Sequence, residues 1–226
     1  MAKVPVAGAV KTRLEPFLSP EKCAELAAAF LQDAEIKAKS ICENTILAYT
    51  PGDRKNVLEN TLRREHKFVE QTGATLGERM ANAFGFAFVR RSGAVVMIGT
   101  DSPTLPAEFI ERAFEILETD SDLVLGKAKD GGFYLIGLRR KIHSELFANV
   151  EWSSAAVFEQ TKKNAEQLKL RLREVPVWYD VDTPDDLLFL RDETAGDEKA
   201  RQCAPATFSW LKRNAKLFEA ETTITF

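Results

Sequence analysis

The sequence is poor in the residues that build disulfide scaffolds and soft-metal sites. Its 226 residues include three cysteines and two histidines, and no Cys-x-x-Cys or Cys/His spacing typical of a zinc site occurs. Cys23, Cys42 and Cys203 are widely separated, which favours reduced thiols in a cytosolic protein over disulfide or zinc roles. His66 and His143 stand in charged surroundings, so we interpret them as surface residues.

Long apolar runs and a charge excess are also absent. No apolar run approaches the ~18 residues of a membrane span, and no charged-then-apolar leader opens the chain. We therefore expect a cytoplasmic protein without a membrane span. The formal net charge of −3 provides no general attraction to nucleic acid or to anionic membranes. Phosphate recognition would have to come from locally placed Lys and Arg.

The order of predicted elements indicates an α/β fold. Short β-prone segments alternate with helical ones, which predicts a three-layer sandwich with a mostly parallel central sheet. This alternation is lost after residue 194, so we predict one α/β domain over residues 1–192 and a C-terminal helical extension and tail over 193–226. Capping residues predict helix starts at Ser19, Thr75, Ser153 and Thr183.

The chain opens without an apolar strand ahead of its first loop. Residues 1–3 are Met-Ala-Lys, although residues 4–14 resemble a strand-to-helix loop. We expect either that the protein starts upstream with an apolar strand or that another segment fills this place. The β-prone segment 222–226 is the candidate for the second option.

The segment 94–103 combines a buried strand with a lone carboxylate. Its apolar, β-branched run is typical of a strand covered on both faces, and it ends just before Asp101. Parallel sheets bind ligands at the carboxyl ends of their strands. A carboxylate placed there is costly without a cation, which indicates a metal and an anionic ligand.

A basic loop precedes the first predicted helix. It contains Lys3, Gly8, Lys11 and Arg13, but it is not a P-loop because no Gly directly precedes the Lys-Thr pair. It is either a solvated basic loop or a phosphate-binding loop. Its position ahead of a helix favours phosphate, because backbone N–H groups and basic side chains would converge on one anion.

A second acidic cluster precedes the helix that Thr183 caps. Asp180 and Asp182 are two residues apart, so in an extended backbone their side chains share one face. Like charges held close together need a cation, and Mg²⁺ is the natural one. The alternative is an ordinary acidic helix start.

Two glycine-containing segments are ambiguous. Gly131 and Gly132 follow Asp130, and they form either a tight turn between strands or a point of close approach to a ligand. Helix capping explains most of the segment 71–80 and leaves Arg79 as a weak candidate for contacting phosphate or sugar. We interpret Trp152 as a hydrophobic anchor at the start of a helix rather than as a platform on which a ligand stacks.

Five motifs, taken in order, resemble one bacterial family. They are Ala-Lys-x-Pro-x-x-Gly-x-x-Lys-Thr-Arg-Leu, Gly-Thr-Asp-Ser-Pro, Asp-Gly-Gly-Phe-Tyr-Leu-Ile-Gly, Trp-Ser-Ser and Asp-Val-Asp-Thr-Pro-Asp-Asp-Leu. The family comprises glycosyltransferase-A-type transferases, including those of the arsenosugar-biosynthesis type. More distantly, the motifs resemble phospholactate guanylyltransferase and the molybdenum-cofactor guanylyltransferases. The resemblance covers about residues 3–190.

The resemblance implies a nucleotide-diphospho-sugar transferase fold and a set of site residues. The implied metal ligands are Asp101, Asp180 and Asp182. The implied phosphate-loop residues are Lys3, Gly8, Lys11 and Arg13. Together with Arg79, Gly131 and Gly132 from the two glycine-containing segments, they make up the predicted nucleotide-binding set. In two respects the chain departs from the family pattern: the first strand is missing, and the usual Asp-x-Asp motif is replaced by Asp101-Ser-Pro103.

The resulting prediction is a transferase that depends on Mg²⁺, with Mn²⁺ as the alternative ion. Residues 1–192 would bind the nucleotide, and Asp101, Lys11 and Arg13 would be catalytic. The first interpretation is glycosyl transfer from a nucleotide-diphospho-sugar to a small-molecule acceptor. Nucleotidyl transfer from a nucleoside triphosphate to a small phosphorylated acceptor is the second, and an inactive nucleotide-binding module is the third. The general base is either Asp130 or the acceptor itself.

Overall fold

A computed structural model describes residues 1–221, apart from residues 16, 63, 64, 91, 92 and 120. Its strands are β1 (Ala2–Lys3), β2 (Ile46–Thr50), β3 (Lys67–Glu70), β4 (Ala94–Ile98), β5 (Leu123–Ala128), β6 (Phe133–Arg139) and β7 (Leu172–Trp178). Its α-helices are α1 (Pro20–Ile41), α2 (Lys55–Thr61), α3 (Leu76–Phe88), α4 (Ala107–Thr119), α5 (Val157–Gln167), α6 (Pro184–Gly196), α7 (Glu198–Cys203) and α8 (Pro205–Arg213). None of the helices in these described ranges combines the length and apolar character that crossing a bilayer requires.

The strands form two sheets rather than one. A parallel sheet has the order β1-β2-β3, and a four-stranded sheet has the order β4-β6-β5-β7. Strand β6 runs antiparallel to both of its neighbours, whereas β5 and β7 are parallel. The prediction of a single, mostly parallel sheet therefore needs correction. Only residues 129–132 join β5 to β6, which is too short for a parallel crossover and long enough for a hairpin.

The place ahead of the first loop is taken by β1, a strand of two residues that the sequence pattern does not predict. Ala2 and Lys3 pair in parallel with Tyr49 and Thr50 of β2. The amino group of Met1 donates a hydrogen bond to the carbonyl oxygen at the end of β4, at Ile98 (2.6 Å). The first three residues thus connect the two sheets. The segment 222–226 lies outside the described residues, so its suggested role stays a prediction.

Helices cover both faces of the four-stranded sheet. Alternate residues of β5 point to opposite sides, as a strand requires. Val124 packs in a cluster with residues of α4, namely Ile110, Ala113 and Leu117. Leu123 and Leu125 pack in another cluster with residues of α3 and α5, namely Met80, Phe84, Phe158 and Ala165.

The C-terminal helices share a core with the first helix. Trp210 of α8 is 2% exposed and packs in one cluster with Leu26 and Phe30 of α1 and with Leu187 and Leu190 of α6. The cluster also includes Tyr179 and Val181, which belong to the segment that carries the second acidic pair. The predicted boundary at residue 192 stays a prediction, but the packing ties the segment after it to the site region.

A buried carboxylate fastens α8 to α1. Asp33 of α1 is fully buried, and its two oxygens accept hydrogen bonds from the backbone N–H groups of Ala206 (2.7 Å) and Thr207 (2.9 Å). These N–H groups belong to the first turn of α8, where no intrahelical acceptor exists. Asp33 therefore caps a helix that lies far away in the sequence.

The predicted helix caps are correct except for one. Ser19, Thr75 and Thr183 each accept a hydrogen bond from the backbone N–H three residues later. Ser153 does not cap α5, because its backbone has a left-handed φ of 69° and the helix begins at residue 157. The hydroxyl of Ser154 accepts from the N–H of Ala156 (3.2 Å), which precedes α5, and α5 has no side-chain cap.

Candidate functional site

A cleft of about 670 Å³ lies at one edge of the two sheets. Its lining comes from segments that follow the carboxyl ends of five strands. The lining includes Thr50 at the end of β2, Gln71 after β3, Asp101 after β4, Asp130 after β5 and Asp180 after β7. This is the edge at which α/β sheets bind their ligands.

Most of the predicted site residues line this cleft. They are Lys3, Lys11, Arg13, Arg79, Asp101, Gly132, Asp180 and Asp182. The lining does not include Gly8 or Gly131, which both adopt left-handed backbone angles, with φ of 73° and 94°. A Cβ at Gly131 would collide with the backbone of Ala155, so this glycine permits two loops to approach each other.

Lys11 joins the two acidic segments. Its ammonium lies 2.5 Å from Oδ1 of Asp101 and 3.0 Å from Oδ1 of Asp182, and it donates to the carbonyl oxygen of Val181 at 2.7 Å. The side chain is only 6% exposed. Burial alone would lower the pKa of Lys11, but the charges and hydrogen bonds of the two aspartates outweigh it and raise this pKa. The ammonium therefore stays charged.

Backbone and side-chain contacts hold the two acidic segments together from behind. The N–H of Val181 donates to the carbonyl oxygen of Asp101 (2.9 Å). The hydroxyls of Thr104 and Tyr179 are hydrogen-bonded at 2.8 Å, and Tyr179 donates to a carboxylate oxygen of Glu193 at 2.5 Å. These contacts fix the segment around Asp101 against the segment around Asp180.

Asp180 experiences mainly unfavourable surroundings for its negative charge. Burial, together with the nearby charges of Asp130, Asp182 and Asp101, raises its pKa to about 6. Four carboxylates thus influence one region of the cleft, and Lys11 neutralises only part of their charge. A carboxylate in this situation gains from a further cation.

The carboxylates of Asp101, Asp180 and Asp182 are suitable ligands for a hard divalent cation, because Mg²⁺ prefers carboxylate oxygens. Asp101 and Asp182 lie close together, since both contact the ammonium of Lys11. Across the described part of the chain, however, no group of three His, Cys, Asp or Glu side chains is arranged as a ready-made metal site. Lys11 occupies the position between the two aspartates, so magnesium binding stays a prediction.

The sequence did not reveal an apolar part of the cleft. Leu76, Met80, Met97, Phe133 and Trp152 line it together with the charged residues. Trp152 does act as an anchor, because its ring packs against Phe133 and Phe147. No local pattern in the sequence links Trp152 to the other four residues, because they lie on α3, β4 and β6.

A buried lysine supports the loop that carries Asp101. Lys37 of α1 is 6% exposed, and its ammonium donates to the carbonyl oxygen of Pro103 (3.0 Å). Burial lowers the pKa of Lys37 to about 8, although the charges of Cys203 and Asp33 act in the opposite direction. The folded protein therefore favours the neutral amine more than the unfolded chain does.

This shift predicts a pH dependence of stability. Between pH 8 and 10.5 the unfolded chain binds more protons at Lys37 than the folded protein does, so this group's contribution to stability rises with pH. We expect the difference in unfolding free energy between wild type and Lys37→Met to change by about 3 kcal/mol across this window. Urea unfolding of both proteins at pH 7.5 to 10.5 measures it. A difference that does not change with pH would contradict the prediction.

Comparison with known proteins identifies the family and the fold. The profile of DUF2064, described as an uncharacterized protein conserved in bacteria, matches residues 34–154. A candidate nucleotide-diphospho-sugar transferase from Desulfovibrio desulfuricans G20 has a similar structure, with a TM-score of 0.88 and 32% identity over 97% of this chain and 94% of that chain. A search of curated proteins finds no match.

Two more distant structures share the fold. One is the molybdopterin-guanine dinucleotide biosynthesis protein A of Archaeoglobus fulgidus, with a TM-score of 0.53 and 16% identity over 87% of this chain and 100% of that one. The other is the 4-diphosphocytidyl-2C-methyl-D-erythritol synthase of Anaerococcus prevotii DSM 20548, with a TM-score of 0.53 and 12% identity over 74% of this chain and 87% of that one. The α/β architecture is thus that of nucleotide-diphospho-sugar transferase-like proteins, and the chain belongs to the DUF2064 family.

Proposed function

We propose that the protein is a divalent-metal-dependent glycosyltransferase that takes a nucleotide-diphospho-sugar as donor. The observation that carries the proposal is the composition of the cleft, in which a basic loop meets the acidic segments after β4 and β7. A diphosphate needs both a metal and cations, and this part of the cleft offers ligands for the first and side chains for the second. The similarity to the Desulfovibrio protein supports the same donor class.

Within the basic loop, the exposed cations are the ones available to phosphate. An ammonium has three N–H donors, and those of Lys11 have three acceptors in Asp101, Asp182 and Val181. Lys11 therefore acts mainly by fixing the two aspartates. Arg13 is 70% exposed at its side chain and lies 3.6 Å from Asp182, so its guanidinium can turn to a bound diphosphate.

The carboxylates would hold the metal. Asp101, Asp180 and Asp182 would supply ligands to Mg²⁺, or to Mn²⁺ as the alternative, and the ion when bound neutralises charge on the departing diphosphate. Asp130 lines the same cleft, and its Oδ1 accepts a hydrogen bond from the N–H of Gly132 (2.8 Å). Asp130 is our candidate for taking the acceptor's proton.

These groups take part in one transfer step. An acceptor oxygen forms a bond to the anomeric carbon of the donor sugar, while the bond from that carbon to the diphosphate oxygen breaks. The acceptor's proton passes to Asp130, and the diphosphate leaves with the bonding electron pair and is received by Arg13. A divalent ion held by Asp101, Asp180 and Asp182 would neutralise further charge on it. Lys11 positions Asp101 and Asp182 before the substrates arrive, which favours electrostatic stabilisation of the developing charge.

Removing the exposed cation is expected to weaken nucleotide binding. We predict that Arg13→Ala raises the Kd of the preferred nucleoside diphosphate by roughly 10-fold to 150-fold, about 1.5–3 kcal/mol, the scale of hydrogen bonds between charged groups. Calorimetric titration with a panel of nucleoside diphosphates and Mg²⁺ measures the effect. Arg112→Ala is the matched control, because Arg112 is 63% exposed on α4 and pairs with Glu115. Equal affinities of Arg13→Ala and wild type would show that the basic loop does not bind the nucleotide.

Nucleotidyl transfer is the second candidate function, because the Asp-Val-Asp-Thr-Pro motif at residues 180–184 resembles that of guanylyltransferases. Product identity separates the two reactions. A glycosyltransferase releases a nucleoside diphosphate or monophosphate from a sugar donor, whereas a nucleotidyltransferase releases pyrophosphate from a triphosphate. We expect the first result with Mg²⁺ and an acceptor panel. Pyrophosphate release without turnover of any nucleotide-sugar would establish the second candidate instead.

A further inference from the structure

The cleft contains an apolar wall that phosphate and metal binding do not use. We define this apolar wall as Leu76, Met80, Met97, Phe133 and Trp152, all of which line the cleft. Met80 belongs to the hydrophobic cluster of α3 and α5, and Met97, Phe133 and Trp152 pack against that cluster. Leu76, in contrast, is 45% exposed. The apolar wall therefore continues a rigid core to the surface of the cleft.

The position of Trp152 is fixed by its neighbours. Its ring lies 6.5 Å from that of Phe133 in an edge-to-face arrangement and 6.3 Å from that of Phe147. A Cβ at Gly77 would come within 2.7 Å of both the Trp152 ring and the Phe147 side chain. The indole thus lies directly against the first turn of α3. A surface held in this way needs little ordering when a ligand binds.

The apolar wall and the basic loop come from different parts of the chain. Lys3 ends β1, and Lys11 and Arg13 lie between β1 and α1, whereas the apolar wall comes from α3, the end of β4, the start of β6 and the turn before α5. Phe133 follows directly after the Asp130-Gly131-Gly132 turn. The apolar wall is therefore close in sequence and structure to the carboxylate that we assign to the acceptor's proton.

We infer that the acceptor carries a planar apolar ring, which packs on the apolar wall while its nucleophilic hydroxyl points toward the carboxylates. This inference rests on the proposed function, because it assigns the donor to the basic loop and the acceptor to the other part of the cleft. Burial of the ring removes the exposed apolar surface of Leu76 and of the half-buried Phe133 and Trp152 from water. Aromatic side chains favour planar groups through edge-to-face and offset stacking.

A pair of model glycosides tests the inference without knowledge of the natural acceptor. Phenyl β-D-glucopyranoside and methyl β-D-glucopyranoside carry the same hydroxyls, but only the first carries a ring. The three indole N–H signals in a ¹H–¹⁵N spectrum report on Trp152, Trp178 and Trp210, and Trp152→Phe identifies the first of them. We expect the phenyl compound to shift the Trp152 signal and to bind roughly 10-fold more tightly than the methyl compound, since burying a ring contributes at least that much.

Two surface variants make the result specific. Leu76→Ser removes an exposed part of the apolar wall and should weaken binding of the phenyl compound several-fold, without changing the Kd of the nucleoside diphosphate. Val89→Ser is the matched control, because Val89 is 82% exposed just after α3 and does not line the cleft. Since both side chains are exposed, both variants should fold.

Other outcomes would overturn the inference. Equal binding of the two glycosides, or an unchanged Trp152 signal, would show that the apolar wall does not receive a ring. If Leu76→Ser weakened nucleoside diphosphate binding by the same factor, the apolar wall would hold the nucleobase rather than the acceptor. Failure of the wild-type protein to bind any nucleoside diphosphate would instead overturn the proposed function, and with it the acceptor role, even if the ring compound bound.

Discussion

Asp101→Asn is expected to lower the rate of the transfer reaction by about 100-fold or more, equivalent to roughly 2.7 kcal/mol of lost charge stabilisation. Asp101 follows β4 at the edge of the cleft and contacts the buried ammonium of Lys11. An amide keeps the size of the side chain but removes the negative charge that a divalent cation requires. The measurement is the initial rate with the preferred nucleotide at saturating Mg²⁺.

The control for this variant is Asp53→Asn, because Asp53 is 73% exposed at its side chain and lies outside the cleft lining. Its rate should equal that of the wild type. A titration with Mg²⁺ adds a second readout, since Asp101→Asn should also require more metal for half-maximal rate. A rate within threefold of the wild type would exclude Asp101 from the reaction, whatever its effect on stability.

The second large effect concerns the C-terminal helix. We expect Asp33→Ala to lower the free energy of unfolding by about 3 kcal/mol, because two N–H groups at the start of α8 would lose their acceptors in a buried place. Burial raises the pKa of Asp33, so part of the gain from these hydrogen bonds is offset by the cost of burying its charge. Urea unfolding followed by circular dichroism measures the change.

Asp197 provides a matched comparison. It also caps a helix, since its Oδ1 accepts from the N–H of Lys199 (2.8 Å) at the start of α7, but it is exposed. Because water can replace this acceptor, Asp197→Ala should cost about 1 kcal/mol or less. Equal losses in the two variants would mean that burial adds nothing to the cap at Asp33.

Local sequence signals predicted the elements that depend on neighbouring residues. The β-branched run 94–98 forms β4, Ser19 caps the start of α1, and Thr183 caps the start of α6. The turn at Asp130 and the glycines after it joins two strands, as one of the two readings proposed. In each case the signal and the structure lie within a few residues of each other.

Features that depend on distant residues were not predictable in this way. Strand β1 has only two residues and no alternating pattern, and it exists because β2 offers an edge for pairing. The sequence identified Lys11 and Asp182 as site residues but assigned Lys11 to phosphate. Their direct contact joins positions 171 residues apart. The apolar part of the cleft likewise comes from segments that only folding brings together.

Asp33 and Lys37 lie one turn apart on α1, and this spacing gives that helix a second role. Asp33 binds the start of α8, and Lys37 binds the backbone of the loop that carries Asp101. A local opening of α8 would leave Asp33 without its partners next to the Lys37 ammonium, whose charge state Asp33 helps to set. Opening of the first turn of α8 and loss of order in the loop that carries Asp101 are therefore linked. Ligands that rigidify the loop should slow amide hydrogen exchange in the first turn of α8.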